Sequence, residues 1–118
     1  MTHPDPDAFA ADWIAAWNSH DLDAILSHYA DDVVFRSPTA ARVVGSGEVS
    51  SKAALRDYWQ KALTLVPDLH FILEQVFVGH AAVTLVYRRE NGPRAAETFE
   101  FGDGGLVTRS VACYAAAA

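Results

Sequence analysis

Glu97 stands in the run Glu97-Thr98-Phe99-Glu100-Phe101, where alternation puts it on one strand face with Phe99 and Phe101. If that face lines a cavity, the carboxyl sits among apolar neighbours. Lost hydration then raises its pKa toward the range useful to a general acid or base at neutrality. Pairing with an arginine at a strand end is the competing role. Ser37 closes the stretch DDVVFRSP and shares parity with Val33 and Phe35. Its hydroxyl can orient a ligand oxygen, or it can simply be a turn residue before Pro38. Arg36 has the opposite parity and should face away, in an ion pair. The five histidines, His3, His20, His28, His70 and His80, show no metal-ligand spacing, and Cys113 is the single cysteine. Neither a metal nor another cofactor is expected, and no internal disulfide can form.

Asp5-Pro6 has the form of a helix start, and Phe9, Trp13 and Trp17 follow at spacing four, so a first helix is predicted there. Leu22, Ile25, Leu26 and Tyr29 mark a short second helix. After the strand in DDVVFRSP comes a link with a small strand expected at 42–44. Ser50 or Ser51 can cap a third helix carrying Leu55, Tyr58, Trp59 and Leu63. The rest reads as β-structure, with strands over 69–78, 81–89, 95–101 and 106–114 joined by turns at Gly79-His80, Asn91-Gly92-Pro93 and Gly102–Gly105. Three N-terminal helices and a mostly antiparallel sheet make an α+β domain spanning 1–118, with 115–118 as a tail. Trp13, Trp17, Tyr58 and Trp59 lie at helical core spacing, and the wall of a cavity for a planar ligand would have the same spacing. Strand 69–78 is apolar on both parities, so the sheet face away from the helices is expected to pack on a second copy, giving a homodimer.

Bulk properties exclude several classes. The chain has 118 residues, 51% of them hydrophobic, and a formal net charge of −6. An acidic domain without a Lys/Arg cluster is a poor partner for nucleic acid or an anionic membrane. No apolar run approaches the roughly 20 residues that cross a bilayer. The N-terminal MTHPDPDAF lacks the pattern of a signal peptide, and a cytoplasmic protein is the simplest expectation.

The order of segments resembles the nuclear transport factor 2-like superfamily, in particular its SnoaL-like polyketide cyclase and ketosteroid isomerase branches. The stretch WIAAWNSHDLDAILSHYADDVVFRSP is similar to that family's first two helices and first strand, KAALRDYWQKAL to its third helix, and ETFEFGDGGLV to its late hairpin. The resemblance covers nearly the whole chain. It implies a bent sheet wrapped by helices into a cone-shaped, cystatin-like α+β barrel, with an apolar pocket at one end. It also implies dimers formed through the outer sheet face. Function varies widely on this fold, from isomerases and cyclases to carriers and association modules.

The isomerase chemistry implied by the resemblance needs a carboxylate to carry a proton and donors for an enolate oxygen. Its base position, directly before the proline, is Ser37 here, and a hydroxyl cannot replace a carboxylate as base unaided. Trp13 stands where the family has a tyrosine donor, and Trp59, next to Tyr58, where it has a supporting tyrosine. Glu97 falls at its protonated acid. One role of four survives in kind, so that reaction by that route is not expected. The aspartate–histidine pair of the cyclases is missing from LVTRSVACY, and Arg88, Glu90 and Glu97 do not match the epoxide hydrolase spacing. In the family the parity of Thr108, Ser110, Ala112 and Tyr114 lines the pocket. The expected site is therefore Glu97 as acid/base and Ser37 as a second catalytic candidate. Phe35, Phe99, Ser110 and Tyr114 join the four helical aromatics around a small apolar or aromatic ligand. A non-enzymatic dimeric binding module with a vestigial pocket is the alternative.

Overall fold

The computed structural model describes residues 3–116. In chain order the elements are α1 (Pro6–Ser19), α2 (Leu22–Leu26), β1 (Tyr29–Arg36), α3 (Pro38–Val44), β2 (Glu48–Ser50), α4 (Lys52–Leu65), β3 (Phe71–Gly79), β4 (Ala82–Arg89), β5 (Arg94–Phe101) and β6 (Val107–Tyr114). The strands form one curved sheet in the order β2-β1-β6-β5-β4-β3. The β1–β6 pair is parallel and the others antiparallel, as a mostly antiparallel sheet requires. The sheet is curved and unclosed, with free edges at β2 and β3, and the architecture is α+β as expected.

Local chemistry explains where the helices begin. Asp5 accepts a hydrogen bond from the Ala8 amide at 2.9 Å, and Pro6 opens α1. Phe9, Ala10, Trp13, Ala16 and Trp17 form its buried stripe. Ser51 caps α4 through the Ala54 amide at 3.2 Å, and Leu55, Tyr58 and Trp59 are its buried face.

There are four helices, not three. The segment with the expected small strand at 42–44 is instead α3. Ser37 caps it, Pro38 opens it, and Gly45, at φ 81°, closes it by giving its amide to the Ala41 carbonyl. Val43 and Val44 favour a strand, but cap, proline and terminal glycine together outweigh two β-branched residues. The strand falls later, at Glu48–Ser50, against β1. Tyr29 also changes element: it begins β1 and is fully buried, while α2 stops at Leu26. The tail expected over 115–118 begins with Ala115 bonded to the Arg94 carbonyl at 2.8 Å. Ala117 and Ala118 lie outside the described residues.

The core lies between the inner sheet face and the helices. Phe9 packs edge-on against Phe99 and Phe101 at 5.1 and 5.0 Å between ring centres. Trp13 stacks on Phe71 and meets Tyr87 edge-on at 5.0 Å. These contacts clamp α1 across β3, β4 and β5. Among the described residues no helix is long and apolar enough to cross a membrane.

Candidate functional site: a buried carboxyl in a cavity

The inner residues of β5 alternate without interruption: Ala95, Glu97, Phe99 and Phe101 are buried, while Ala96 and Glu100 are exposed. Glu97 is only 3% exposed. Register supplies its partners. Leu85 lies opposite Glu97 on β4, so Tyr87 is its diagonal neighbour. Ala112 lies opposite on β6, so Ser110 is the diagonal neighbour on the other side. The Tyr87 hydroxyl donates to Glu97 Oε1 at 2.7 Å and the Ser110 hydroxyl to Oε2 at 2.6 Å. Burial pushes the Glu97 pKa up to about 7, and the two hydroxyl donors oppose the rise. Among the described residues no arginine pairs with it.

Glu97 lines a cavity of about 510 Å³, a size suited to a small organic molecule. Trp13, Trp17, Phe35, Tyr58 and Trp59 form much of the wall, and Tyr114 stands at the edge, 39% exposed. The other exposed lining residues, Pro38, Arg42, Arg89 and Pro93, mark the mouth between α3 and the β4–β5 turn.

Three expected residues stand elsewhere. Ser37 is buried but does not line the cavity. Its hydroxyl accepts the Thr39 amide at 3.1 Å, as the cap of α3. Phe99 is fully buried core, packed against Phe9 and Trp13. Ser110 sits behind Glu97 as its hydrogen-bond donor and makes no part of the wall. Thr108, expected to share an inward face with Ser110, is half-exposed, and Val107 is buried instead. The pairing of β5 with β6 is irregular between Glu100 and Phe101, which shifts the parity. Arg36 points outward and pairs with Glu48 at 2.9 Å, as expected.

Sequence reasoning missed Tyr87, the second partner of Glu97. It shares parity with Val83 and Leu85, so its inward direction was readable, but its role depends on register. Phe71, Arg42 and Arg89 are further lining residues that were not anticipated. Burial and the nearby Tyr114 hold the Tyr58 hydroxyl well above its usual pKa, so it remains a proton-bearing donor. Trp13 Nε1 donates to the Tyr29 hydroxyl at 2.9 Å. Trp17 Nε1 is buried without a hydrogen-bond partner among the described residues, and the Trp17 ring meets Trp59 edge-to-face at 5.1 Å. His28 is half-buried against Phe9 and is not part of the wall. His20 reaches the Leu69 carbonyl at 2.6 Å. Among the described residues no three His, Cys, Asp or Glu side chains stand together as a metal site would need.

Comparison with known proteins agrees with this architecture. Residues 10–113 match the model of the SnoaL-like domain. A SnoaL-like protein of unknown function from Burkholderia thailandensis is 41% identical, with TM-score 0.89 over 94% of each chain. A candidate ketosteroid isomerase from Kribbella flavida is 17% identical, with TM-score 0.71 over 94% of this chain and 78% of that one. A candidate polyketide cyclase from Sinorhizobium meliloti is 15% identical, with TM-score 0.71 over 90% and 94%. At the lower two identities the likeness is one of fold. No curated protein matches the chain. On the match over residues 10–113 and the Burkholderia relative, the chain belongs to the SnoaL-like domain family.

Proposed function

We propose that the protein is a cofactor-independent enzyme of the isomerase or cyclase type, moving a proton on a small cyclic or aromatic carbonyl compound. The observation that carries this reading is Glu97: a buried carboxyl, with a pKa pushed up to about 7, on the wall of a cavity rich in aromatic side chains. At neutrality such a group is divided between its two forms and can act as base and then as acid. Ionised Glu97 takes a proton from the carbon beside the carbonyl. The C–H electron pair moves into the carbon skeleton and the carbonyl oxygen gains charge. Tyr58, which keeps its proton and lines the same cavity, is the donor for that oxygen. Protonated Glu97 then returns the proton at the same or another carbon. Ser37 carries no proton in these steps; its side chain caps α3 and stands beside Tyr58. Structural neighbours described as candidate isomerase and cyclase accord with this class.

The test needs no knowledge of the natural substrate. In heavy water, the protein should speed deuterium uptake beside the carbonyl of a ring ketone such as 1-tetralone, followed by proton NMR. Glu97→Gln should lower that rate by about 100-fold, in line with the contribution of a general base. Equal rates with and without protein, or an undiminished rate in the variant, would rule the reading out.

One observation favours a second reading, a binding module without catalysis: both Glu97 oxygens already have internal donors, so the carboxyl is satisfied without a ligand. Under that reading ring compounds bind and no exchange occurs. We further propose a homodimer through the outer sheet face, in the cytoplasm, with no nucleic-acid or membrane partner. Support for the dimer is a row of paired residues on that face, Phe77, Thr84, Thr98 and Val111, with Phe77 half-exposed.

A further inference from the structure

We propose that the compounds entering the cavity carry a carboxylate, with the ring held inside and the anion at the mouth between Arg42 and Arg89. This rests on the ligand-binding reading above and names the chemical class of that ligand. Three arginines, Arg42, Arg88 and Arg89, contribute to the lining, and the single acid among the lining residues is Glu97. Arg42 and Arg89 are exposed, which puts their charges at the opening. Neither makes an ion pair among the described residues, and Arg42 gives one hydrogen bond, to Thr39 Oγ1 at 3.2 Å. Arg88 is paired with Glu74 at 2.9 Å, but Arg94 also approaches Glu74, at 4.0 Å, so one carboxylate serves two guanidinium groups. Glu90, beside Arg89, is exposed and not part of the lining.

The setting makes this concentration of positive charge informative. The chain as a whole is acidic, at −6. An unpaired cationic rim on an acidic protein draws anions to one place and repels them elsewhere. A planar guanidinium matches the two oxygens of a carboxylate, a pairing stronger than the stacking the same groups could gain from a neutral ring. The deeper wall of Trp13, Trp17, Tyr58 and Trp59 suits the ring and offers no second cation. Glu97, with its pKa pushed up to about 7, does not bar an anion when it carries its proton.

The experiment compares 2-naphthoate with 2-naphthamide, which share the ring system and differ in charge, by calorimetry at pH 7. The wild-type protein should bind the acid about tenfold more tightly than the amide, the scale of one good charge-assisted pair. The double substitution Arg42→Gln with Arg89→Gln should remove that preference, the acid losing about tenfold more affinity than the amide, because the charge lost stands at the mouth where the carboxylate would sit. Equal affinities in the wild type, or an undiminished preference in the double variant, would overturn the inference and leave the ligand reading standing. Failure of both probes to bind would overturn the ligand reading, and this inference with it.

Discussion

Glu97 holds its place through diagonal pairing, with a tyrosine from one neighbouring strand and a serine from the other. The balance of terms is physical. Burial favours the neutral acid, the two donors favour the carboxylate, and burial wins. Removing a donor therefore moves the pKa further up: Tyr87→Phe should raise it above 7, and should cost about 1–2 kcal/mol at pH 8, where a charged group loses a hydrogen bond. Titration by NMR checks the first and urea unfolding the second; a lowered pKa would contradict the assignment of causes. The same shift links stability to pH. The folded pKa of about 7 lies above the ordinary 4.5, so the native state holds this proton more tightly than the unfolded chain does. The contribution is full below pH 4.5 and is lost as pH rises through 7, by about 3 kcal/mol. Glu97→Gln lacks it, so the variant should gain on the wild type between pH 5 and pH 8 in urea unfolding. A constant difference across that range would mean that the carboxyl does not titrate there.

At the scale of elements, α3 answers for Ser37. The hydroxyl closes the first turn of that helix, and α3 carries Thr39 and Arg42 to the cavity mouth. Ser37→Ala should cost about 1 kcal/mol in thermal or urea unfolding, the usual value of a cap, and leave deuterium exchange by Glu97 nearly unchanged. A loss of exchange as large as that of Glu97→Gln would return Ser37 to the reaction. The difference between the expected and observed Ser37 shows what sequence can and cannot carry. Parity in β1 correctly placed it inward. Whether an inward hydroxyl meets a cavity or a backbone amide depends on the next element, and Val43-Val44 obscured that element. Glu97 was legible because β5 alternates cleanly between two turns. Tyr87 was not, because diagonal neighbours follow from register, which a single strand does not encode. Irregular pairing had the same effect on β3: the register shifts between Leu73 and Gln75, so Leu73 and Val76 both pack inward while Phe77 turns out. Part of the apolar character on both parities comes from that shift and not from a second covered face.

For the whole molecule, the family resemblance gave the sheet and the helical cover, while the cavity's chemistry belongs to this chain's own residues. The proposed homodimer would use the outer face. Sedimentation at micromolar concentration should give a dimer, and Phe77→Glu should give a monomer by setting a charge into the row with Thr84, Thr98 and Val111. A wild-type monomer would show that this face stays in water. Everything proposed for catalysis converges on one group changing charge near neutrality inside the cavity. The direct measurement is a carbon-13 NMR titration of the Glu97 side-chain carboxyl in the wild-type protein, assigned by its disappearance in Glu97→Gln. Titration near pH 7 is the expected result. A midpoint near the ordinary 4.5 would contradict the account, because a carboxyl already ionised through the whole neutral range has no proton to return.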